Sequence, residues 1–172
     1  AQQQLDAFAR QLESHGIRVL LAATVPGCDS QHYPRDLGFV IDDVFVLGRP
    51  RHEIRQWEIT GLRPLIERLP RVALLDAGTI EGGDVILHDQ SVLVGLGEET
   101  SLLGVDSLRY RLETLGISRE VVPIEFDRPG VVHLDTLFNI VAPELALICK
   151  NAFSAKRVSW FERHFELIPV TE

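Results

Sequence analysis

The order strand, strand, helix, strand occurs three times along this chain at a period of about fifty residues, and no other feature restricts the fold as much. "LGFVI" and "VFVLG" are short apolar runs joined by a hairpin turn at Asp42-Asp43. "RHEIRQWEITGLRPLIERL" follows with helical spacing weakened by Gly61 and Pro64, and "RVALLDA" returns as a strand. In the second unit "DVILHD" and "SVLVGL" pair around Gln90, "SLLGVDSLRYRLETLG" puts Leu108, Leu112 and Leu115 on one helical face, and "EVVPIEF" closes. In the third, "TLFNIVA" and "LALICK" pair around Pro143-Glu144, a helix covers residues 155–165, and "ELIPV" ends the unit. Each such unit leaves apolar surface that only its neighbours can cover. The expected architecture is therefore α/β, one domain over residues 1–172, with helices outside and short sheets converging on a central axis. Full units are expected at about 36–76, 80–126 and 131–172. Residues 1–23 read as half a unit: an amphipathic helix with Leu5, Phe8 and Leu12 on one stripe, stopped by Gly16, then the buried strand "IRVLLAA".

Composition narrows the function. The 172 residues, 45% hydrophobic, can bury one sizeable core. A net charge of -8, with acids and bases intermixed, argues against a nucleic-acid surface and favours a small cationic ligand over a polyanion. Two cysteines, Cys28 and Cys149, without a CxxC or alternating Cys/His spacing, indicate neither a disulfide framework nor a structural zinc site, so a cytoplasmic location is expected. No apolar run reaches the roughly 18 residues of a membrane span, and no membrane partner is expected.

Polar groups gather where each unit begins. "YPRDLGF" brings Asp36, "IEGGDVI" brings Glu81 and Asp84, and "VHLDTLF" brings His133 and Asp135 on one face of an apolar stretch. Units related by rotation point equivalent positions at a common centre, where these acids and the imidazole would converge. Gly82 and Gly83 suit a tight bend and close backbone approach there. A carboxylate cluster suits a guanidinium, whose planar fork takes charge-assisted pairs from two flanking acids. A histidine oriented by an acid is equipped for proton transfer. Plainer roles are also expected for some residues: Asp84 capping backbone amides at its turn, Glu98 and Glu99 as a solvated face, Arg55 on a helix surface, Trp57 and Trp160 in packing. His-x-Asp lacks a third metal ligand at suitable spacing.

"YPRDLGF", "EGGDVI", "VGLGEETS" and "HLDTLFNIVAP" resemble, in order and over essentially the whole chain, the motifs of the guanidine-modifying superfamily of arginine deiminases, dimethylarginine dimethylaminohydrolases and amidinotransferases. The resemblance implies a five-bladed α/β propeller, of which this chain is a part, and no metal or organic cofactor. It implies a hydrolase acting on the guanidinium of arginine or a close derivative through a covalent amidino-cysteine intermediate. Asp36 and Asp135 would hold the guanidinium, Glu81 would orient and charge His133, and His133 would act as general acid, then base. The partner is then a small guanidino substrate, with a homodimer left open. Where the family has an arginine for the substrate carboxylate, this chain has Glu99; Arg55 matches another anion-contacting arginine and is the substitute, the alternative being a substrate with a cationic or amine far end. The family's cysteine lies near its C-terminus after a further unit, so the nucleophile is expected outside this chain. Two other readings stand: an amidinotransferase, which differs in how the intermediate is released, and a non-catalytic propeller binding module.

Overall fold

A computed structural model describes residues 2–170; residues 1, 171 and 172, at the outer ends of the expected first and last units, lie outside the described residues. The described chain comprises α1 (Gln2–Ser14), β1 (Gly38–Ile41), β2 (Val44–Leu47), α2 (Glu53–Ile66), β3 (Val72–Leu74), β4 (Val85–His88), β5 (Ser91–Leu96), α3 (Leu102–Thr114), β6 (Glu120–Glu125), β7 (Phe138–Ala142), β8 (Leu145–Ile148), α4 (Ala155–Glu162) and β9 (Glu166–Pro169). The expected threefold ββαβ order is present. Its strands form three separate three-stranded sheets, β1-β2-β3, β4-β5-β6 and β7-β8-β9, each with an antiparallel hairpin and a parallel third strand. Among the described residues no sheet closes on itself.

Turn chemistry explains the hairpins. Asp42 and Asp89 sit at φ 54 and 46, the left-handed region that aspartate tolerates better than most residues. Pro143-Glu144 cannot supply that geometry in the same way, and the third hairpin shifts register between Ile140 and Ala142. Ser101 and Ser154 cap α3 and α4, accepting from the Gly104 and Arg157 amides. Helix α2 runs through Gly61 and Pro64, against the weakening expected for it. Pro64 falls in the last turn, where little helix remains to break, and Gly61 gives the Ala23 carbonyl room that a Cβ, 2.3 Å away, would remove.

Two cores lie between consecutive units, which is how neighbours cover each other's apolar faces. The first joins Phe39, Ile41, Val44 and Val46 to Val92 and Val94 of β5 and to Val105, Leu108 and Leu112 of α3. The second joins Leu93 of the same β5 to Leu134, Phe138, Ala146, Ile148 and Phe161. Alternate β5 residues thus enter different cores, and this accounts for an apolar run without polar alternation. Each large side chain so buried stabilises the fold by roughly 1.5–3 kcal/mol.

Residues 17–23, expected as a buried strand, form none: Ile17, Leu20 and Leu21 are exposed, and the segment is tied to α2 by the Ala23 amide donating to the Gly61 carbonyl. Every third strand seen here pairs with the second strand of its own hairpin, and this segment has no strand partner among the described residues. The α1 stripe of Leu5 and Phe8 is likewise exposed, although Gly16 does end the helix, at φ 77, with Ile17 donating to the Leu12 carbonyl. Trp57, expected in packing, is also exposed, whereas Trp160 packs on the second core.

Candidate active site

A short 3-10 turn stands before the first strand of each unit: Pro34–Leu37, Gly82–Asp84 and Leu134–Thr136. The three turns pack on one another. A Cβ at Gly82 would lie 2.0 Å from the Arg35 carbonyl oxygen, and one at Gly83 would lie 2.5 Å from His133 Nδ1, so only glycine lets the second turn fit between the other two. Asp84 Oδ1 accepts from the Leu134 amide at 2.8 Å, which makes it a cap for the third unit's turn rather than its own. Arg35 spans all three units, donating to the Val85 carbonyl at 2.8 Å and pairing with Asp135 at 3.4 Å.

Asp36, Glu81 and His133 meet there, all buried. His133 Nε2 lies 3.0 Å from Glu81 Oε2, and Nδ1 lies 3.8 Å from Asp36 Oδ1. The Glu81 amide donates to Thr100 Oγ1 at 3.2 Å, which anchors this acid from its backbone. Burial alone would depress the imidazole pKa, but the Glu81 hydrogen bond and the charges of Asp36, Asp84 and Glu81 outweigh it and raise the pKa above its ordinary value. Burial pushes the Asp84 carboxyl up to about 6, against the opposing pull of Thr100, the Leu134 amide and His133. Burial also raises Asp135, against the opposing pull of His133 and Arg35. Asp135 stands at the edge of the cluster with a side chain 27% exposed.

Arg55 is not the surface residue expected. It lies in the first turn of α2 and faces inward, with Nε donating to Glu58 at 3.1 Å, Nη1 to Asp36 at 3.0 Å and Nη2 to the Tyr33 carbonyl at 3.2 Å. Burial opposes its charge, yet Asp36, Glu58 and Glu81 together raise its pKa. Glu58, fully buried, was missed; its signal was the Arg-x-x-Glu spacing that puts both on one helical face. Thr100, Tyr33 and Arg35 carried no comparable signal, because their parts are played through backbone groups or across units. Glu98 is exposed, but Glu99 is buried against His52 and is no solvated face.

One ligand atom each from Asp36, Glu81 and His133 lies within 4.8 Å of the others, the spacing of a three-ligand metal site that sequence reading did not foresee. Arg55 Nη1, 3.0 Å from Asp36 and 3.9 Å from Glu81, already places positive charge on its acid side. Neither thiol joins this cluster: Cys28 Sγ faces the Ile54 carbonyl, with its pKa raised by burial, and Cys149 Sγ lies with Arg128 and Asn151.

Residues 31–166 match the family model for arginine deiminase. The chain is 30% identical over its full length to the uncharacterized protein YkgA of Bacillus subtilis, spanning 59% of that protein. It is 31% identical over 136 residues, 78% of its length, to an N(G),N(G)-dimethylarginine dimethylaminohydrolase of Streptomyces coelicolor, spanning 51% of that protein. Among solved structures, the amidinotransferase SxtG of Microseira wollei superposes with a TM-score of 0.84 at 16% identity over 99% of this chain and 61% of its own, a likeness of fold. The substrate-bound N-terminal domain of ArgZ, a cyanobacterial arginine dihydrolase, superposes with a TM-score of 0.81 at 26% identity over 96% of this chain and 62% of its own. The chain therefore spans a little over half the length of these curated relatives. With its three ordered turn motifs gathered around one imidazole, and with the family model covering most of its length, this chain belongs to the arginine deiminase family within the guanidine-modifying superfamily.

Proposed function

We propose that this chain supplies the guanidinium cradle and the acid/base group of a hydrolase acting on arginine or a close derivative. The observation that carries the reading is the buried His133–Glu81 pair, 3.0 Å apart, with Asp36 on the other side of the ring. Asp36 and Asp135 flank the guanidinium plane, and Asp36 is held in place by Arg55. Asp36, Glu58, Glu81 and Asp84 outnumber Arg55 and a protonated His133, so the cluster holds negative charge for a guanidinium to balance. A cysteine thiolate from outside this chain attacks the guanidinium carbon and forms the C–S bond. His133, kept protonated by Glu81, gives its proton to the departing nitrogen as the C–N bond breaks. His133 then takes a proton from water as that water attacks the carbon, and the C–S bond breaks to return the thiolate. The three units would be consecutive blades of the five-bladed propeller.

The support is the clustering of these groups, the raised imidazole pKa and the relatives' activities on guanidino compounds. Calorimetric titration of the chain with propylguanidine tests the cradle: saturable binding that is lost in Asp36→Ala is expected, and no binding to the unmutated chain rejects it. In a polypeptide that joins this segment to the cysteine, arginine or a derivative should release ammonia or an alkylamine together with the corresponding ureido or amino product. No such product from any arginine derivative rejects the hydrolase.

A further inference from the structure

We infer that this site selects guanidino compounds whose far end is an amine or other cation rather than a carboxylate, and that Glu99 reads that end; the inference rests on the guanidinium cradle proposed above. Glu99 is 8% exposed, with Oε1 3.3 Å from His52 Nε2 and Oε2 buried without a hydrogen-bond partner. A carboxylate oxygen removed from water and left unpaired is costly, and an ammonium group is the natural group to satisfy it. Its position ties it to the cradle from two sides. Thr100, the next residue, holds the Glu81 amide, and His52 immediately precedes the helix turn that carries Arg55, whose amide donates to the His52 carbonyl.

The arginines at this end are already engaged, Arg49 by the Gly78 carbonyl alone. Arg35 is engaged by Asp135 and the Val85 carbonyl, Arg51 by the Glu98 carbonyl and, at 3.9 Å, its carboxylate, and Arg55 by Asp36, Glu58 and the Tyr33 carbonyl. A ligand carboxylate arriving beside Glu99 would meet a buried like charge and would have to break one of these contacts to find a counter-ion. A ligand ammonium meets an oxygen with no partner. Attraction and repulsion thus act in the same direction, which is how charge gives specificity.

The test is a calorimetric series on the chain in one buffer at fixed ionic strength, using propylguanidine, 4-aminobutylguanidine and 4-guanidinobutanoate. The amine-ended ligand is expected to bind about tenfold or more tightly than propylguanidine, the return of one charge-assisted hydrogen bond to a buried acid, and the carboxylate-ended ligand more weakly. Glu99→Gln should bring the first ratio to within about twofold. Propylguanidine binding with no advantage for the amine, or with equal or tighter binding of the carboxylate, overturns this inference and leaves the cradle standing. An advantage that survives unchanged in Glu99→Gln overturns the assignment to Glu99. Failure of propylguanidine itself to bind overturns the cradle and this inference with it. The ligand series in the unmutated chain decides the matter even if the variant does not fold.

Discussion

Replacing Glu81 with Gln probes the proposed acid/base pair with little change of shape. The amide can still accept from His133 Nε2, 3.0 Å away, but the negative charge that stabilises the imidazolium is gone. A hydrogen bond to a charged group contributes about 1.5–3 kcal/mol, and that is the expected loss when the ring is protonated. The sign follows from the raised imidazole pKa. A histidine whose folded pKa exceeds its unfolded value contributes stability that is fully present below about 6.5 and is lost as pH rises through the folded value. The variant should therefore be less stable than the parent by about 1.5–3 kcal/mol near pH 6, with the gap narrowing as pH rises past the folded pKa. Urea unfolding at pH 6 and pH 9 measures the gap, and NMR titration of the His133 ring follows its proton directly. The midpoint should fall in the variant. An unchanged or higher midpoint, or a stability gap that widens toward alkaline pH, would refute the reasoning that Glu81 charges His133.

Other perturbations test the parts around it. Asp84→Asn should remove a fall in stability: a carboxyl raised to about 6 binds its proton more tightly folded than unfolded, so the parent loses up to about 3 kcal/mol as pH climbs from about 4 to 6, and urea unfolding at pH 4.5 and 7.5 should show the variant without that loss. Gly83→Ala brings a Cβ within 2.5 Å of His133 Nδ1, displacing the ring; calorimetry should show weakened propylguanidine binding, together with a stability loss of about 1–3 kcal/mol. Phe138→Ala, at a fully buried ring stacked 4.2 Å from Phe161, should cost about 3–5 kcal/mol by denaturant unfolding because a cavity remains between the second and third units.

The repeat was legible because apolar periodicity alternates between strand and helix spacing. Convergence of Asp36, Glu81 and His133 followed from the same repeat, since rotation of like units brings like turns together. What escaped was decided by partners remote in sequence. The apolar "IRVLLAA" has strand composition, but a third strand forms only beside the second strand of a hairpin, and here it lies against Gly61 instead. The Arg-x-x-Glu spacing puts Arg55 and Glu58 on one helical face, but that this face turns inward depends on Asp36 of the neighbouring turn, which is remote from α2 in the chain. Glu98 and Glu99 look alike in sequence, yet one is exposed while the other is buried beside His52.

The most direct test of the account is a crystal structure of the chain with propylguanidine bound. The guanidinium plane should lie between Asp36 and Asp135, with its nitrogens within hydrogen-bond distance of both carboxylates and one of them facing His133. A ligand held elsewhere on the surface, or one that contacts neither aspartate, would contradict it.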